Sequence, residues 1–243
     1  MAELVRSGRA LAGGVGPSSG DKTARVPHTE SPSAAPIVPA GADLDGLRRA
    51  AATCEGCELH REGSQTVFGD GRADARLVLV GEQPGDVEDR EGAPFVGPAG
   101  QVLDRALAEI GIDRADAYVT NSVKHFHFTG GGGKRRIHKT PEAVHINACK
   151  PWLIAELTLL DPEVVVALGA TATRALLGTT VKVMRDRGKL MPWPPRGPLD
   201  ETSTHGGFVM VTIHPSAVLR ADDRDAAYAG LVADLTVAAS ALT

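Results

Sequence analysis

One short stretch of the chain combines a glycine hinge, positive charge and a nucleophile. Residues 130–133 are four consecutive glycines, and Lys134-Arg135-Arg136-Ile137-His138 follows them directly. Glycine has no β-carbon, so such a hinge can take backbone angles that other residues avoid. Adjacent cations attract phosphates, and a histidine at neutral pH can act as a nucleophile or a proton carrier. The stretch predicts a basic loop that brings His138 to a charged polymer, although isolated basic runs more often form solvated surface.

Composition limits where binding and catalysis can reside. The chain has 243 residues, 42% of them hydrophobic, which suits one α/β domain with an extension. The net charge is -4, so any nucleic-acid contact must depend on cations concentrated on one face. No run of about 18 apolar residues occurs, and the N-terminus resembles neither a signal nor an anchor. We therefore expect a cytoplasmic protein with no membrane contact.

The order of sequence patterns indicates the fold class. Residues 1–40 are rich in glycine, serine, proline and alanine and predict a disordered extension, with a folded domain over 41–243. Apolar runs at 77–80, 117–123, 163–168 and 208–213 predict strands, and helical patterns separate them. This alternation predicts a three-layer α/β/α sandwich around a central sheet of four parallel strands. A helix from Thr140 is expected to break or kink near Pro151, and residues 181–207 are expected to be irregular.

Polar side chains stand where the predicted strands end. Glu82 follows the first strand, Asn121 lies near the end of the second, and His214 follows the fourth. A further turn begins at Gly169, after the third strand. Ligands of open α/β sheets bind beyond the carboxyl ends of the strands, so these residues are expected to share one site.

Two of these strand-end segments resemble motifs of a known family. The loop Gly81-Glu82-Gln83-Pro84-Gly85-Asp86, continuing through Phe95 to Gly100, resembles the first motif of the uracil-DNA glycosylase superfamily in its iron–sulfur branch. His214-Pro215-Ser216 resembles the second motif. The Lys-Arg-Arg-Ile-His loop resembles that of one branch, the UdgX proteins, which become covalently attached to uracil-containing DNA. The resemblance covers about residues 44–240 and implies a uracil-DNA glycosylase-like fold.

The resemblance implies a DNA-repair hydrolase that cleaves the bond between uracil and the sugar. His138 would then attack the sugar C1′ itself, and with a reference pKa near 6.5 about three-quarters of such groups are neutral at pH 7. His214 would donate a hydrogen bond to uracil O2 as the base leaves. Glu82 would stabilise the cation-like sugar or accept a proton from the nucleophile. The expected enzyme works once and stays on its DNA.

The resemblance also assigns the contacts to base and backbone. Phe95 would stack on the flipped uracil, although a buried core phenylalanine is the alternative. Asn121 would read uracil N3–H and O4, rather than only cap a strand end, and Gln83 would add a polar contact through its backbone or side chain. Asp86 is counted with the uracil-binding residues, with a role in shaping the loop as the alternative. The predicted DNA contacts are Lys134, Arg135, Arg136 and Ser216.

Three cysteines suggest a metal site. Their odd number in a cytoplasmic chain argues against a disulfide framework, and Cys54 and Cys57 form a C-x-x-C pair that suits a metal or redox chemistry. The resemblance implies a 4Fe–4S cluster held by Cys54, Cys57, Cys149 and His125, with His125 where related glycosylases have a cysteine. Imidazole can replace thiolate on cluster iron. His127 is a nearby competitor, and zinc is chemically permitted.

Three functions remain open at this point. The leading hypothesis is a single-turnover uracil-DNA glycosylase linked to DNA through His138. The others are a conventional multiple-turnover uracil-DNA glycosylase and a non-catalytic iron–sulfur DNA-binding protein. The expected partner is uracil-containing DNA, single-stranded, bound by a monomer.

Overall fold

The computed structural model describes residues 31–130, 132, 135–193 and 207–242. Residues 1–30 of the predicted extension and the predicted phosphate contact Lys134 lie outside the described residues. Residues 31–40 lie within the compact unit, where Ala34 is buried and its N–H donates to the Ala148 carbonyl at 2.8 Å. The folded unit therefore includes part of the segment that composition assigns to the extension.

A five-stranded mixed sheet forms the centre of the fold. In chain order the strands are β1 Leu77–Gly81, β2 Ala117–Asn121, β3 Phe128–Thr129, β4 Ile137–His138, β5 Val164–Leu168, β6 Met191–Pro192 and β7 Phe208–Thr212. The order in the sheet is β2-β1-β5-β7-β6, with the first four strands parallel and β6 antiparallel to β7. Strands β3 and β4 pair separately as a two-stranded ribbon, hereafter the His138 ribbon.

Helices cover both faces of the sheet. They are α1 Leu44–Ala51, α2 Asp86–Glu91, α3 Pro98–Glu109, α4 Ala143–Leu160, α5 Gly169–Leu177, α6 Val183–Asp186, α7 Pro215–Arg220 and α8 Arg224–Ala239. Val78 and Val80 of β1 pack in one core with residues of α1, α4 and α5, while Leu77 and Leu79 pack in a second core with α3 and α8. Alternate residues of a strand point to opposite faces, so one apolar strand supplies both cores. The expected three-layer α/β/α fold is confirmed.

Three local expectations differ from the structure: the number of strands, the helix start at Thr140 and the helix break at Pro151. The sheet has a fifth strand, β6, in a segment that its prolines and glycines made look irregular; proline is tolerated there because β6 is an edge strand. Helix α4 runs unbroken through Pro151 and begins at Ala143, with Glu142 as its N-cap. Its neighbours Trp152 and Leu153 are fully buried. This packing outweighs the roughly 3 kcal/mol that an interior proline costs a helix.

The strand register brings the functional segments to one edge. Gly81 of β1 pairs with Asn121 of β2, and Leu168 of β5 pairs with Thr212 of β7. The residues that follow β1 and β7 therefore emerge at the same end of the sheet. No helix in the described residues is long and apolar enough to cross a membrane.

Candidate active site

Gly81 allows an aromatic ring and an amide to meet over the end of β1. A β-carbon on Gly81 would lie 2.6 Å from Phe95 Cζ and closer still to Asn121 Oδ1. Phe95 and Asn121 are both buried, and Phe95 has a left-handed backbone with φ of 57°. Such a conformation is strained for a non-glycine residue and is typical of functional sites. The structure thus brings together the two residues predicted to hold the base.

The His214 ring faces the Phe95 ring. Their ring centroids are 5.9 Å apart and the planes are inclined by 26°. Gly169, with φ of +85°, packs closely against the histidine, because a β-carbon there would lie 2.9 Å from His214 Cβ. A base stacked on Phe95 would lie beside the His214 imidazole.

Backbone geometry decides which nitrogen of His214 carries the proton. The Ser216 N–H lies 3.1 Å from His214 Nδ1, and a backbone N–H can only donate, so Nδ1 is the acceptor and Nε2 carries the proton. Burial, with smaller effects of Arg220 and His138, lowers the pKa of His214 to about 4. The ring is therefore a neutral donor at pH 7. Ser216, predicted to contact DNA, orients His214, since its Oγ also lies 2.8 Å from Nδ1.

Glu82 connects the end of β1 to His138. Its Oε1 lies 3.4 Å from His138 Nε2, while its Oε2 accepts a hydrogen bond from the Thr171 hydroxyl. The His138 side chain is 47% exposed and that of Glu82 is 22% exposed. The His138 side chain is therefore half exposed, while one side of its ring faces a carboxylate.

Gln83 ties both sides of the His138 ribbon to the sheet. Its Oε1 accepts the His127 N–H at 3.1 Å, and its Nε2 donates to the carbonyls of His127 at 3.0 Å and Lys139 at 3.1 Å. His138 Nε2 also lies 3.0 Å from this amide nitrogen, but an amide has only two hydrogens. The two carbonyls account for both hydrogens. The Gln83 side chain is thus occupied by the ribbon, which leaves its backbone for the predicted contact with uracil.

Arg136 points into the protein. Its guanidinium pairs with Asp86 and, at 2.6 Å, with Asp89, and only 13% of its side chain is exposed. It also lies over the rings of Phe126 and Phe128, at 5.3 and 5.1 Å from the centroids. The structure places Arg136 as an internal anchor of the ribbon, in contrast to the predicted phosphate contact. Asp86, predicted to bind uracil, pairs with Arg136, which favours the alternative role of shaping the loop. Arg135, in contrast to Arg136, is exposed.

Thr171 is the functional neighbour that sequence reasoning missed. The sequence marks the Gly169 turn as the end of a strand. Thr171, two residues later, is of a residue type that gives no sign of a functional role in a helix. Only the proximity of β1 to β5 brings it to Glu82, which is 89 positions away in the chain.

The candidate cluster ligands include three thiols in one region. Cys54 and Cys149 are buried; the Trp152 indole N–H donates to Cys54 Sγ and the Lys124 backbone N–H to Cys149 Sγ, both at 3.2 Å. Burial above all raises the pKa of the Cys149 thiol to about 12, and Cys57 and Cys54 are near enough to contribute to the rise. Hydrogen bonds to sulfur of this kind tune iron–sulfur clusters.

A single metal ion requires several donor side chains close together. Within the described ranges, no three histidine, cysteine, aspartate or glutamate side chains lie close enough to hold one metal ion. A four-iron cluster spaces its ligands more widely than a single zinc does. His125 follows Lys124, whose backbone N–H donates a hydrogen bond to Cys149 Sγ. The Nε2 atom of His125 lies 2.8 Å from Thr66 Oγ1. Three thiols and an imidazole are donor types that iron–sulfur clusters accept.

Comparison with known proteins identifies the class. Residues 68–236 match the Uracil DNA glycosylase superfamily, so the chain belongs to this superfamily. It is 38% identical over 168 residues to the type-4 uracil-DNA glycosylase of Thermotoga maritima, covering 69% of this chain and 78% of the relative. The corresponding enzyme of Pyrobaculum aerophilum is 33% identical over 178 residues, with 73% and 85% coverage. That of Saccharolobus solfataricus is 32% identical over 180 residues, with 73% and 77% coverage.

Proposed function

We propose that this chain removes uracil from DNA and then remains covalently bonded to the sugar C1′ through His138. Membership of the superfamily and the type-4 relatives support uracil excision from DNA. One observation carries the covalent step: His138 Nε2 lies 3.4 Å from Glu82 Oε1, directly after β1, and the end of β1 also contacts the Phe95 ring that faces His214.

The pocket would recognise a base turned out of the stack. Uracil would rest on the Phe95 ring, while the Asn121 carboxamide accepts from N3–H and donates to O4. Asn121 is buried, and its Oδ1 lies over Gly81 beside the Phe95 ring, which supports this role. Cytosine would mismatch both contacts, and each buried unpaired group costs about 1–3 kcal/mol.

Bond breaking and bond making would both take place at C1′. The bond from C1′ to N1 breaks with its electron pair moving to uracil, and the His214 Nε2–H stabilises the charge on O2. As the Nε2–H proton of His138 passes to Glu82 Oε1, the electron pair freed on Nε2 bonds to C1′, leaving a neutral N-alkylated imidazole. Such an imidazole is a poor leaving group, so water displaces it slowly and the protein stays on its substrate.

The remaining assignments stay predictions. Arg135 and Lys134 would bind phosphates, and Ser216 would approach the strand while orienting His214. Single-stranded DNA as the preferred substrate, a monomeric state and a cytoplasmic location are predictions of the same kind.

We further propose that Cys54, Cys57, Cys149 and His125 hold a 4Fe–4S cluster, as the iron–sulfur branch of the family suggests. When bound, the cluster would supply a structural link between the segment after α1 and helix α4. The purified protein is expected to contain about four iron atoms and four sulfides per chain. Zinc in their place would refute the assignment, and His125→Cys is expected to retain the iron.

A denaturing gel tests the covalent step. Single-stranded DNA with one uracil, incubated with the protein, is expected to give a retarded band that survives heating in detergent. His138→Ser should lose the band, and a strand with thymine in place of uracil is the control. Absence of the band with wild-type protein would refute covalent attachment.

A conventional multiple-turnover glycosylase is the second candidate, because the similar proteins are named as type-4 uracil-DNA glycosylases. Free uracil counted against protein distinguishes the two. More than one uracil per protein chain would favour turnover, and at most one per chain favours attachment. Retention of DNA without any free uracil would instead indicate a non-catalytic binding protein.

A further inference from the structure

Thr171 stands behind the carboxylate that faces His138. Its hydroxyl donates to Glu82 Oε2, its side chain is buried, and Glu82 Oε1 is left facing His138 Nε2. We propose that Thr171 is a positioning residue that assigns the two oxygens of Glu82 to different tasks, so that Oε1 is the proton acceptor for His138. This inference rests on the proposed function.

The position of Thr171 is set by the sheet and not by a flexible loop. Strand β5 pairs with β1 up to Ala167 beside Val80, and α5 begins at Gly169 immediately after β5. Thr171 therefore lies in the first turn of α5, alongside the start of the Glu82 loop. The same turn supports His214 through Gly169. One helix start thus holds both the residue that assists the leaving base and the residue that receives the proton.

A pinned carboxylate matters because its terminal torsion is soft. Rotation about the last bond of a glutamate side chain has a broad, roughly two-fold profile, so either oxygen could otherwise face the histidine or turn away. The Thr171 hydroxyl has one proton to donate, and giving it to Oε2 leaves the lone pairs of Oε1 for His138. In the covalent step the Nε2–H bond breaks, the Nε2–C1′ bond forms, the proton moves to Oε1, and the electron pair of the broken sugar–base bond leaves with uracil.

A second threonine on the same helix provides a matched control. Thr173 is also buried, but its hydroxyl donates to the Gly169 carbonyl at 2.8 Å and has no contact with Glu82. Thr173→Val therefore removes a similar hydrogen bond from the same helix without touching the carboxylate. Thr171→Ser keeps the hydroxyl that the inference requires.

The test measures adduct formation and uracil release in one single-turnover reaction with single-stranded uracil DNA. Thr171→Val is expected to slow adduct formation about tenfold, the scale of a lost hydrogen bond to a charged group. Uracil release is expected to fall less, because the Glu82 charge still stabilises the sugar cation. More uracil should therefore be released per adduct formed. Thr171→Ser should restore the wild-type ratio of adduct to uracil, and Thr173→Val should leave this ratio unchanged.

A double-mutant cycle separates positioning from a loss of structure. In a Glu82→Gln background, Thr171→Val should have little further effect on adduct formation if it acts through Glu82. The inference would be overturned if Thr171→Val slowed adduct formation by the same factor in both backgrounds. It would also be overturned if Thr171→Val and Thr173→Val gave the same ratio of adduct to uracil. Absence of an adduct with the wild-type protein would instead refute the proposed function. A separate lane of the same gel, loaded with the wild-type reaction, shows this outcome.

Discussion

At the scale of single residues, the chemistry depends on which atoms carry protons. The Ser216 N–H makes His214 Nδ1 an acceptor, and burial keeps the imidazole neutral with a pKa of about 4. A neutral imidazole with its proton on Nε2 can donate that N–H to a developing negative charge. His138 differs, because it is half exposed and faces a carboxylate. The two histidines are thus suited to different roles by their surroundings.

The lowered pKa of His214 predicts a pH-dependent stability. A histidine whose pKa falls on folding contributes stability above its unfolded pKa near 6.5, and this contribution is lost as the pH falls towards 4. Wild type should lose roughly 2–3 kcal/mol of unfolding free energy relative to His214→Gln between pH 7.5 and pH 4. Urea unfolding at several pH values measures this difference, in which the other titrating groups cancel. A difference that stays constant with pH would contradict the assignment.

At the scale of elements, the His138 ribbon is anchored by side chains of the ribbon and of the segment that follows β1. The four glycines lie between its two strands in the sequence, Gln83 binds the backbone beside both strands, and Arg136 pairs with Asp86 and Asp89. Asp89 is fully buried and also accepts the Ser64 N–H at 2.9 Å. The basic run therefore divides by direction, with Arg136 inward and Arg135 outward.

This division predicts different defects for two adjacent arginines. Arg135→Ala should weaken DNA binding and reduce the slope of log affinity against log salt by about one, as expected for one lost phosphate contact. Arg136→Ala should leave that slope unchanged but slow adduct formation by at least about tenfold, because Asp89 would remain buried without its partner. Binding titrations at several salt concentrations and the single-turnover assay separate the two effects. A reduced salt slope for Arg136→Ala would show that it binds phosphate after all.

At the scale of the whole molecule, a buried ion pair connects the site to the core. Lys124 and Glu156 pair with almost no exposure, and Lys124 Nζ also donates to Thr120 Oγ1 at 2.6 Å and to the Asn121 carbonyl at 2.9 Å. Glu156 Oε1 accepts from Tyr118 at 2.9 Å and from the Gly69 N–H at 3.1 Å. The network links β2, helix α4 and the segment before β1, and it ends at the residue predicted to read uracil.

Removing one partner of this pair should destabilise the fold strongly. Lys124→Met would leave the Glu156 charge buried and should lower the unfolding free energy by about 3–5 kcal/mol. The double variant Lys124→Met with Glu156→Leu should lose markedly less unfolding free energy than Lys124→Met alone. Urea unfolding of the protein with its iron content verified measures both. The exposed pair of Arg76 and Glu163 serves as a control, where Glu163→Gln should have little effect. Equal destabilisation by the single and double core variants would contradict the network.

The sequence by itself determined the alternation of strands and helices, and with it the placement of Glu82, Asn121 and His214 at one edge of a parallel sheet. Those features depend on local patterns of apolar residues, which repeat along the chain and can be read from it. The family motifs and the candidate nucleophile His138 were also visible in the sequence.

Only the tertiary structure decided the partners of these side chains. Arg136 meets Asp86 across 50 positions of sequence, and Thr171 meets Glu82 across 89. A run of cations carries charge but no direction, and a helical threonine has no pattern that distinguishes it from its neighbours. Direction and partnership follow from strand order, because β1 lies between β2 and β5 and so brings the Glu82 loop against both Asn121 and Thr171.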